Sequence, residues 1–515
     1  MRLVAIEYTV VNAREKGRFM ATMTLSRLRQ ARYAILGFGC NQAFLFAMLY
    51  LGSYNEGEGH GFLLDRADLL CVLVSMALTF ALMGRSQLRL TLMSLADKLV
   101  TCLAAPAALA LFALATVYAL NPDLPWLALA VAEGLVAGVS LALLLCAWGR
   151  ALGAASIDQS VPEVFIGSAL GAAVCFFVAA VPFSEAYVVL YVLPVGSAWA
   201  LRALRVPSGQ GADETASSPS VRGYAQDEAS KKADELTGRI IAGTVVYGVA
   251  TGAVEALSSS ADLPLSTSLS VTFVLFVLYC AAALQLYGGR PLSPGVKAVL
   301  PTGPNQEVGP LGGAYRLAIL LMAGGFIAVP LLESVGVSGV SVVLAGYLGI
   351  FSVLVSLFLV MGRVAGRDAV GSFAHGFAAL FAGEIGGILL GGALSSAPGP
   401  FDVSAALVAL AGVAVLYAYL FLFTDRDMAV LSVVIAQTDR FEEVCELIAR
   451  RAKLSKREAE ILPLALRGRT AERIAGEFFI SKNTVDTHLR RIYAKCGVHT
   501  RQELIDLGER TEAEL

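Results

Sequence analysis

Twelve long apolar runs follow one another between residues 31 and 423, at 31–53, 67–84, 98–120, 125–148, 161–182, 185–203, 238–258, 267–287, 314–334, 339–361, 370–394 and 402–423. Each is close to the ~20 residues that a helix needs to cross the hydrocarbon core of a bilayer. Breaks such as Asn121-Pro122 and Pro182-Phe183 separate them. After Thr424 the pattern changes. Phe441, Val444, Cys445 and Ile448 recur at helical spacing, with Glu442, Glu443, Arg450 and Arg451 on the other faces, which predicts an amphipathic connector over 424–453. Four short helices follow over 454–515. The expected fold is all-α: a twelve-helix transmembrane bundle and a small four-helix domain.

Charge adds direction. Arg14, Lys16, Arg18, Arg27, Arg29 and Arg32 precede the first run, and every second loop after it also carries Lys or Arg: Arg85, Arg89 and Lys98, then Arg150, then Arg202 to Arg239, Arg290 to Arg316, and Arg363 with Arg367. The alternate loops hold none except Arg66. That asymmetry predicts a multi-pass protein of the cell membrane with both termini cytoplasmic. The N-terminal segment 1–30 is interrupted by basic residues and does not read as a secretory signal. Residues 204–237, rich in Ser, Gly, Asp, Glu and Lys, read as a linker between halves 31–203 and 238–423. "WGRALG" at Trp148–Gly153 and "MGRVAG" at Met361–Gly366 lie 213 residues apart and suggest internal duplication. Two six-helix halves, a central cytoplasmic loop and cytoplasmic termini resemble the major facilitator superfamily. Gly84, Arg85 and Arg89 match part of the signature that superfamily carries between its second and third spans; the acidic residue expected near its start is absent.

Composition sharpens the function classes. The chain is 57% hydrophobic and 16% charged, against about 25% charged in soluble domains. Ionisable and amide side chains inside the runs therefore stand out, because they are costly there. Those singled out as candidates are Glu133, Glu255, Glu384, His375, Asn41 and Gln42. They either sense a small polar or cationic ligand or fix helix packing through hydrogen bonds. The eight cysteines have no metal-ligand or redox spacing and read as small buried hydrophobes. No phosphate-binding loop and no nucleophile with a histidine partner occurs, so neither an enzyme nor a cofactor is expected.

The C-terminal segment carries its own punctuation. Ser455 with Glu458, and Thr500 with Glu503, form capping boxes; Thr470 and Ser481 cap two helices between them; Gly468 and Gly497 end helices. Ile461, Leu464, Ile474, Ala475, Phe479, Ile480, Val485, Leu489, Ile492, Val498, Leu504 and Ile505 supply a core. Two short helices joined by "FFIS", the second basic, form a helix-turn-helix. Leu454, Arg457, Glu458, Glu460, Gly468, Ile474, Ala475, Ser481, Thr484, Val485, His488, Leu489, Ile492, Lys495, Gly497 and Val498 resemble the LuxR-type DNA-binding domain. The resemblance implies that the third of these helices enters the major groove of double-stranded promoter DNA and that a homodimer forms through the fourth. RNA polymerase is a further candidate partner.

The residues agree with that role. From Lys453 to Arg510 twelve Lys and Arg face eight Asp and Glu. Lys482, Arg490, Arg491 and Lys495 can neutralise phosphates. Asn483, Thr484, Thr487 and His488 can face base edges or the sugar-phosphate chain. Arg469 and Thr470 lie where a helix N-terminus meets phosphate. Asp486 departs from the Lys or Arg usual in the family; it can accept from a cytosine amino group or orient Arg490 four residues on. The expectation is a membrane-embedded, one-component transcription regulator whose bundle, in the lipid bilayer, senses a small molecule or membrane state. Two other readings stay open: a secondary transporter with a regulatory tail, and a structural tether for a DNA-binding module.

Overall fold

The computed structural model describes residues 29–51, 67–120, 126–155, 157–179, 183–204, 224–258, 265–287, 310–333, 339–364, 369–395, 403–424, 427, 441, 443–478 and 480–513. Every regular element among them is helical. In the first part lie α1 (Arg29–Tyr50), α2 (Ala67–Gly84), α3 (Ser86–Lys98, a π turn Leu99–Leu103, then Ala104–Leu120), α4 (Trp126–Gly153), α5 (Ile157–Ala179) and α6 (Phe183–Leu204). Then come α7 (Tyr224–Ser258), α8 (Leu265–Tyr287), α9 (Pro310–Glu333), α10 (Gly339–Val364), α11 (Ala369–Ser395) and α12 (Val403–Tyr417, closing on a π turn Ala418–Leu422).

Among the described residues eight helices are long and apolar enough to cross a membrane, and three shorter ones are apolar as well. Large hydrophobic side chains point away from the bundle at Leu78, Leu90, Leu109, Phe177, Leu278 and Ile327. Such a surface is stable only against lipid. The chain is a multi-pass membrane protein.

Two helices start more than ten residues before their apolar runs. Continuous helix in α3 begins at Ser86, and α7 begins at Tyr224, inside the segment read as linker. "AQDEASKKADEL" holds only three Ala and Leu236 as apolar residues but is rich in the helix formers Ala, Glu, Lys, Gln and Leu, so it winds as a polar extension of the span.

Helix pairing follows a two-fold pattern. α2 packs on α11, and α5 packs on α8. Phe80 of α2 lies 5.7 Å from Phe377 and 6.0 Å from Phe381 of α11, and Phe165 of α5 lies 6.3 Å from Tyr279 of α8. Exchanging the two six-helix sets swaps one seam for the other. A second correspondence lies inside each set. A Cβ on Gly171 of α5 would stand 2.8 Å from the Ala43 nitrogen of α1, and one on Gly387 of α11 would stand 2.8 Å from the Ala253 nitrogen of α7. Gly167 and Gly171 thus occupy in α5 the places of Gly383 and Gly387 in α11, an offset of 216 residues against 213 at the Gly-Arg exits. Backbone-to-backbone contact of this kind holds helices together where lipid gives no hydrophobic drive.

Arginines anchor the helix ends. Arg202 of α6 donates to the Val100 and Thr101 carbonyls in the π turn of α3. Arg239 of α7 donates to the Phe421 carbonyl in the π turn of α12 at 3.2 Å. A π turn misaligns carbonyls from their usual helical donors, and a guanidinium supplies the missing donors. Arg89 reaches back to the Met83 and Gly84 carbonyls, both at 3.2 Å, and closes α2.

The C-terminal helices are α13 (443–451), α14 (Lys456–Leu466), α15 (Ala471–Glu477), α16 (Lys482–Cys496) and α17 (Arg501–Ala513). Their core joins Ile461, Leu462, Ala465, Ile474, Val485, Leu489, Ile492 and Leu504 with Val444, Cys445 and Ile448 of α13. The connector therefore packs inside this domain, and Arg467 stacks over Phe441 at 4.6 Å to fix it. Leu464 and Ile480 are partly buried, Ile505 is half-buried, and Phe479 lies outside the described residues. α17 runs six residues beyond Leu507, where the apolar signal stops. Thr511, buried, bonds back to the Leu507 carbonyl at 2.7 Å.

Candidate nucleic-acid interface and intramembrane polar groups

α16 is shaped by its two ends and one buried stripe. The Ser481 hydroxyl accepts from the Thr484 N–H at 3.2 Å and starts the helix. Gly497 ends it at φ 68°, a left-handed conformation costly for other residues. Val485, Leu489 and Ile492 are buried at helical spacing. That rotation turns Lys482, Asn483, Thr484, Thr487, Arg490 and Arg491 outward and leaves Asp486 and His488 half-exposed. The exposed face mixes cations with amide and hydroxyl groups, the chemistry that reads phosphates and base edges.

Several of these side chains already have partners. Lys482 is ion-paired with Glu472 of α15, which ties the two helices of the motif. The Thr487 hydroxyl donates to the Asn483 carbonyl at 2.8 Å. Among the described residues Asp486 and Arg490 form no ion pair. Asp486 instead acts electrostatically on Lys482, one turn back. Thr470 accepts from the Arg473 N–H at 3.3 Å and caps α15, with Arg469 just before it.

Lys495 is placed differently. Its ammonium lies 2.5 Å from a Glu458 oxygen and 3.4 Å from the Lys453 carbonyl, turned toward the start of α14 while the residue stays exposed. The same Glu458 oxygen accepts from the Ser455 N–H at 2.7 Å. The residue thus completes the capping box of α14 and fastens it to α16. Burial pushes the Glu458 carboxyl up, but the bonds from Lys495 and Ser455 outweigh it and hold it at about 2. The sequence marks Glu458 as a cap; that Lys495 comes to it follows only from the helix packing.

In the bundle the six polar residues separate. Glu384 of α11 is fully buried, and one of its oxygens accepts from Tyr347 of α10 at 2.9 Å. Glu255 of α7, also buried, interacts electrostatically with Glu384, and Tyr50 of α1 with both. Two carboxylates and two phenols from four helices thus lie within electrostatic reach of one another. Tyr50 and Tyr347 carry no charge and share their runs with other uncharged residues, so the sequence does not mark them. Glu133 of α4 is elsewhere, accepting from Tyr191 of α6 at 2.6 Å. His375 is exposed, bonded to Gly371 of its own helix at 2.8 Å and set against Gly84. Asn41 and Gln42 are buried, and their amide atoms have no partner among the described residues.

The last span has its own fastening. Asp427 accepts from the Thr424 N–H at 2.9 Å and forms a 3.3 Å ion pair with Arg239 of α7. Tyr315 of α9 donates to the Phe423 carbonyl at 2.8 Å, and its hydroxyl meets that of Tyr247 of α7 at 2.5 Å. The exit toward the C-terminal domain is therefore gripped by α7 and α9.

Comparison with known proteins agrees with the C-terminal geometry. Residues 452–507 match the family model described as bacterial regulatory proteins, luxR family. The HTH-type transcriptional regulator MalT of Klebsiella pneumoniae (strain 342) is 43% identical over 63 residues, 12% of this chain and 7% of that protein. MalT of Yersinia enterocolitica is 38% identical over 68 residues, 13% of this chain and 7% of that protein. The chain thus spans about 7% of the length of these curated relatives. Among solved structures, a bacterial homologue of iron transporter ferroportin in outward-facing state aligns with 80% of this chain and 99% of its own, at a TM-score of 0.49 and 14% identity. Residues 452–507 of this multi-pass, all-helical chain are a LuxR-type helix-turn-helix domain.

Proposed function

We propose that the protein is a membrane-embedded, one-component transcription regulator: the bundle senses a small molecule or membrane state and thereby controls promoter binding by the LuxR-type domain. The observation that carries this reading is the outward face of α16, polar and basic, on a domain with its own core, joined in one chain to a bundle with buried carboxylates. In this reading residues 31–203 and 238–423 are the two halves, 204–237 the linker, 424–453 the connector and 454–515 the DNA-binding unit. Both ends lie on the cytoplasmic side of the cell membrane. The domain dimerises through α17, and RNA polymerase is a candidate partner at the promoter.

A ligand can act only by binding two bundle conformations with different affinity. The Glu255, Glu384, Tyr50 and Tyr347 cluster suits that task, since it joins α1 of the first half to three helices of the second. The grip of Arg239 on Asp427 is a route from the bundle to the connector. Transcript profiling of a deletion strain across candidate metabolites identifies the signal and the target genes. Expressed in that strain, the Glu384→Gln variant is expected to keep promoter binding in mobility shifts and to lose most of the response. An unchanged response would remove the cluster from the sensing step.

Asp486 sets base preference in this reading. Mobility shifts with Asp486→Lys are expected to show a changed preferred site, with discrimination at one base pair altered by about 1–3 kcal/mol. The same site bound with the same affinity rules that out. The packing of α2 on α11 and α5 on α8 also suits two halves that rock against each other, as a secondary transporter requires. Uptake into vesicles, with and without residues 424–515, separates transport from regulation.

A further inference from the structure

A cavity of about 860 Å³ opens among the start of α1, the end of α4, the start of α5 and the end of α6. In the reading above, on which this inference rests, that end of the bundle faces the cytoplasm. Its size lies in the range of small-molecule sites, and most of its wall is Ala, Leu, Ile and Pro. Gln30, Arg150, Gln159 and Glu163 add four polar groups.

The two charges are not equivalent. Arg150 is already ion-paired with Asp97 of α3, so its charge is compensated within the protein. Glu163 is half-buried, and no charged or hydrogen-bonding neighbour among the described residues acts on it. The cavity therefore presents one uncompensated carboxylate inside a largely apolar wall. An anion would have to compete with Asp97 for Arg150. A neutral apolar molecule would leave Glu163 to be neutralised by a proton, whereas a bound cation supplies the counter-charge itself. A cation with an apolar body meets both requirements.

We propose that this cavity is a binding site for a lipophilic monocation, held by Glu163 against the apolar walls of α1, α4, α5 and α6. It is separate from the Glu255 and Glu384 cluster, which is built from α1, α7, α10 and α11.

The test uses the full chain in nanodiscs of zwitterionic lipid and two probes of nearly the same shape and opposite charge, tetraphenylphosphonium and tetraphenylborate. Equilibrium dialysis is expected to give saturable binding of the phosphonium alone. Glu163→Gln should weaken it about tenfold or more, and Glu163→Asp should retain most of it. Thermal melting confirms that each variant is folded. Ala154→Trp, at the exposed rim of the cavity, should also weaken phosphonium binding and supplies a second variant should Glu163→Gln fail to fold. Glu384→Gln should leave binding unchanged. Equal uptake of the two ions, undiminished binding in a folded Glu163→Gln, or an equal loss in Glu384→Gln would each overturn the proposal. Promoter binding by the same preparations is scored apart, so that failure of the regulator reading and failure of this site are distinguishable.

Discussion

Gly387→Ala will cost the bundle about 3 kcal/mol, whereas Gly386→Ala, one residue earlier, will leave it folded. A Cβ on Gly387 presses on the Val249 carbonyl and lies 2.8 Å from the Ala253 nitrogen, all backbone of α7. Backbone cannot turn aside as a side chain does, so α7 and α11 must separate along their crossing. Around Gly386 nothing lies within 4 Å of the added carbon. The same helix thus contains its own control. Membrane abundance and melting in detergent read the difference, and equal melting of the two variants would show that the glycine crossing does not hold α7 against α11. The crossing also carries Glu384, which a Cβ on Gly252 would meet at its carbonyl. Helix separation there should disturb the carboxylate cluster together with stability.

Glu458→Gln is expected to destabilise the LuxR-type domain by about 2 kcal/mol at neutral pH, since it removes charge-assisted bonds to Lys495 and Ser455. The pH dependence follows from the lowered carboxyl. Its ordinary value is 4.5 and its folded value about 2. The contribution is complete above about 4.5 and is lost as pH falls through about 2. The gap between wild type and Glu458→Gln should therefore be constant from pH 7 to pH 5.5 and shrink at pH 3.5. Urea unfolding of residues 441–513, whose core is self-contained, measures it. A gap that does not change with pH would mean that shape rather than charge holds this cap.

The fold was legible wherever one stretch of chain decides its own conformation. The all-α class, the basic helix α16 and the four capping residues Ser455, Thr470, Ser481 and Thr500 could be read because apolar run length, period and cap chemistry act within a few residues. The early start of α7 and the late end of α17 were not, because polar helix continues without an apolar stripe to mark it; the early part of α3 mixes Leu88, Leu90, Leu92 and Leu95 with polar residues and does not read as a span. The outward-facing residues of α16 could be read on the same grounds: burial of Val485, Leu489 and Ile492 fixes which face is left. Lys495 escaped this logic. It lies on the basic helix and looks like a phosphate contact, and only the approach of α14 assigns it to Glu458.

In the membrane the division is sharper. The sequence by itself determined that Glu133, Glu255 and Glu384 are costly there and must be accommodated. It said nothing of which helix accommodates which, because in a uniformly apolar run no stripe sets how a helix is rotated. The tertiary structure decided that Glu384 meets Tyr347 and Glu255, that Glu133 meets Tyr191, and that Arg239 reaches Asp427 across 188 positions of chain. Those pairings depend on rotation and crossing of helices, which glycines at backbone contact distance fix where α7 crosses α11.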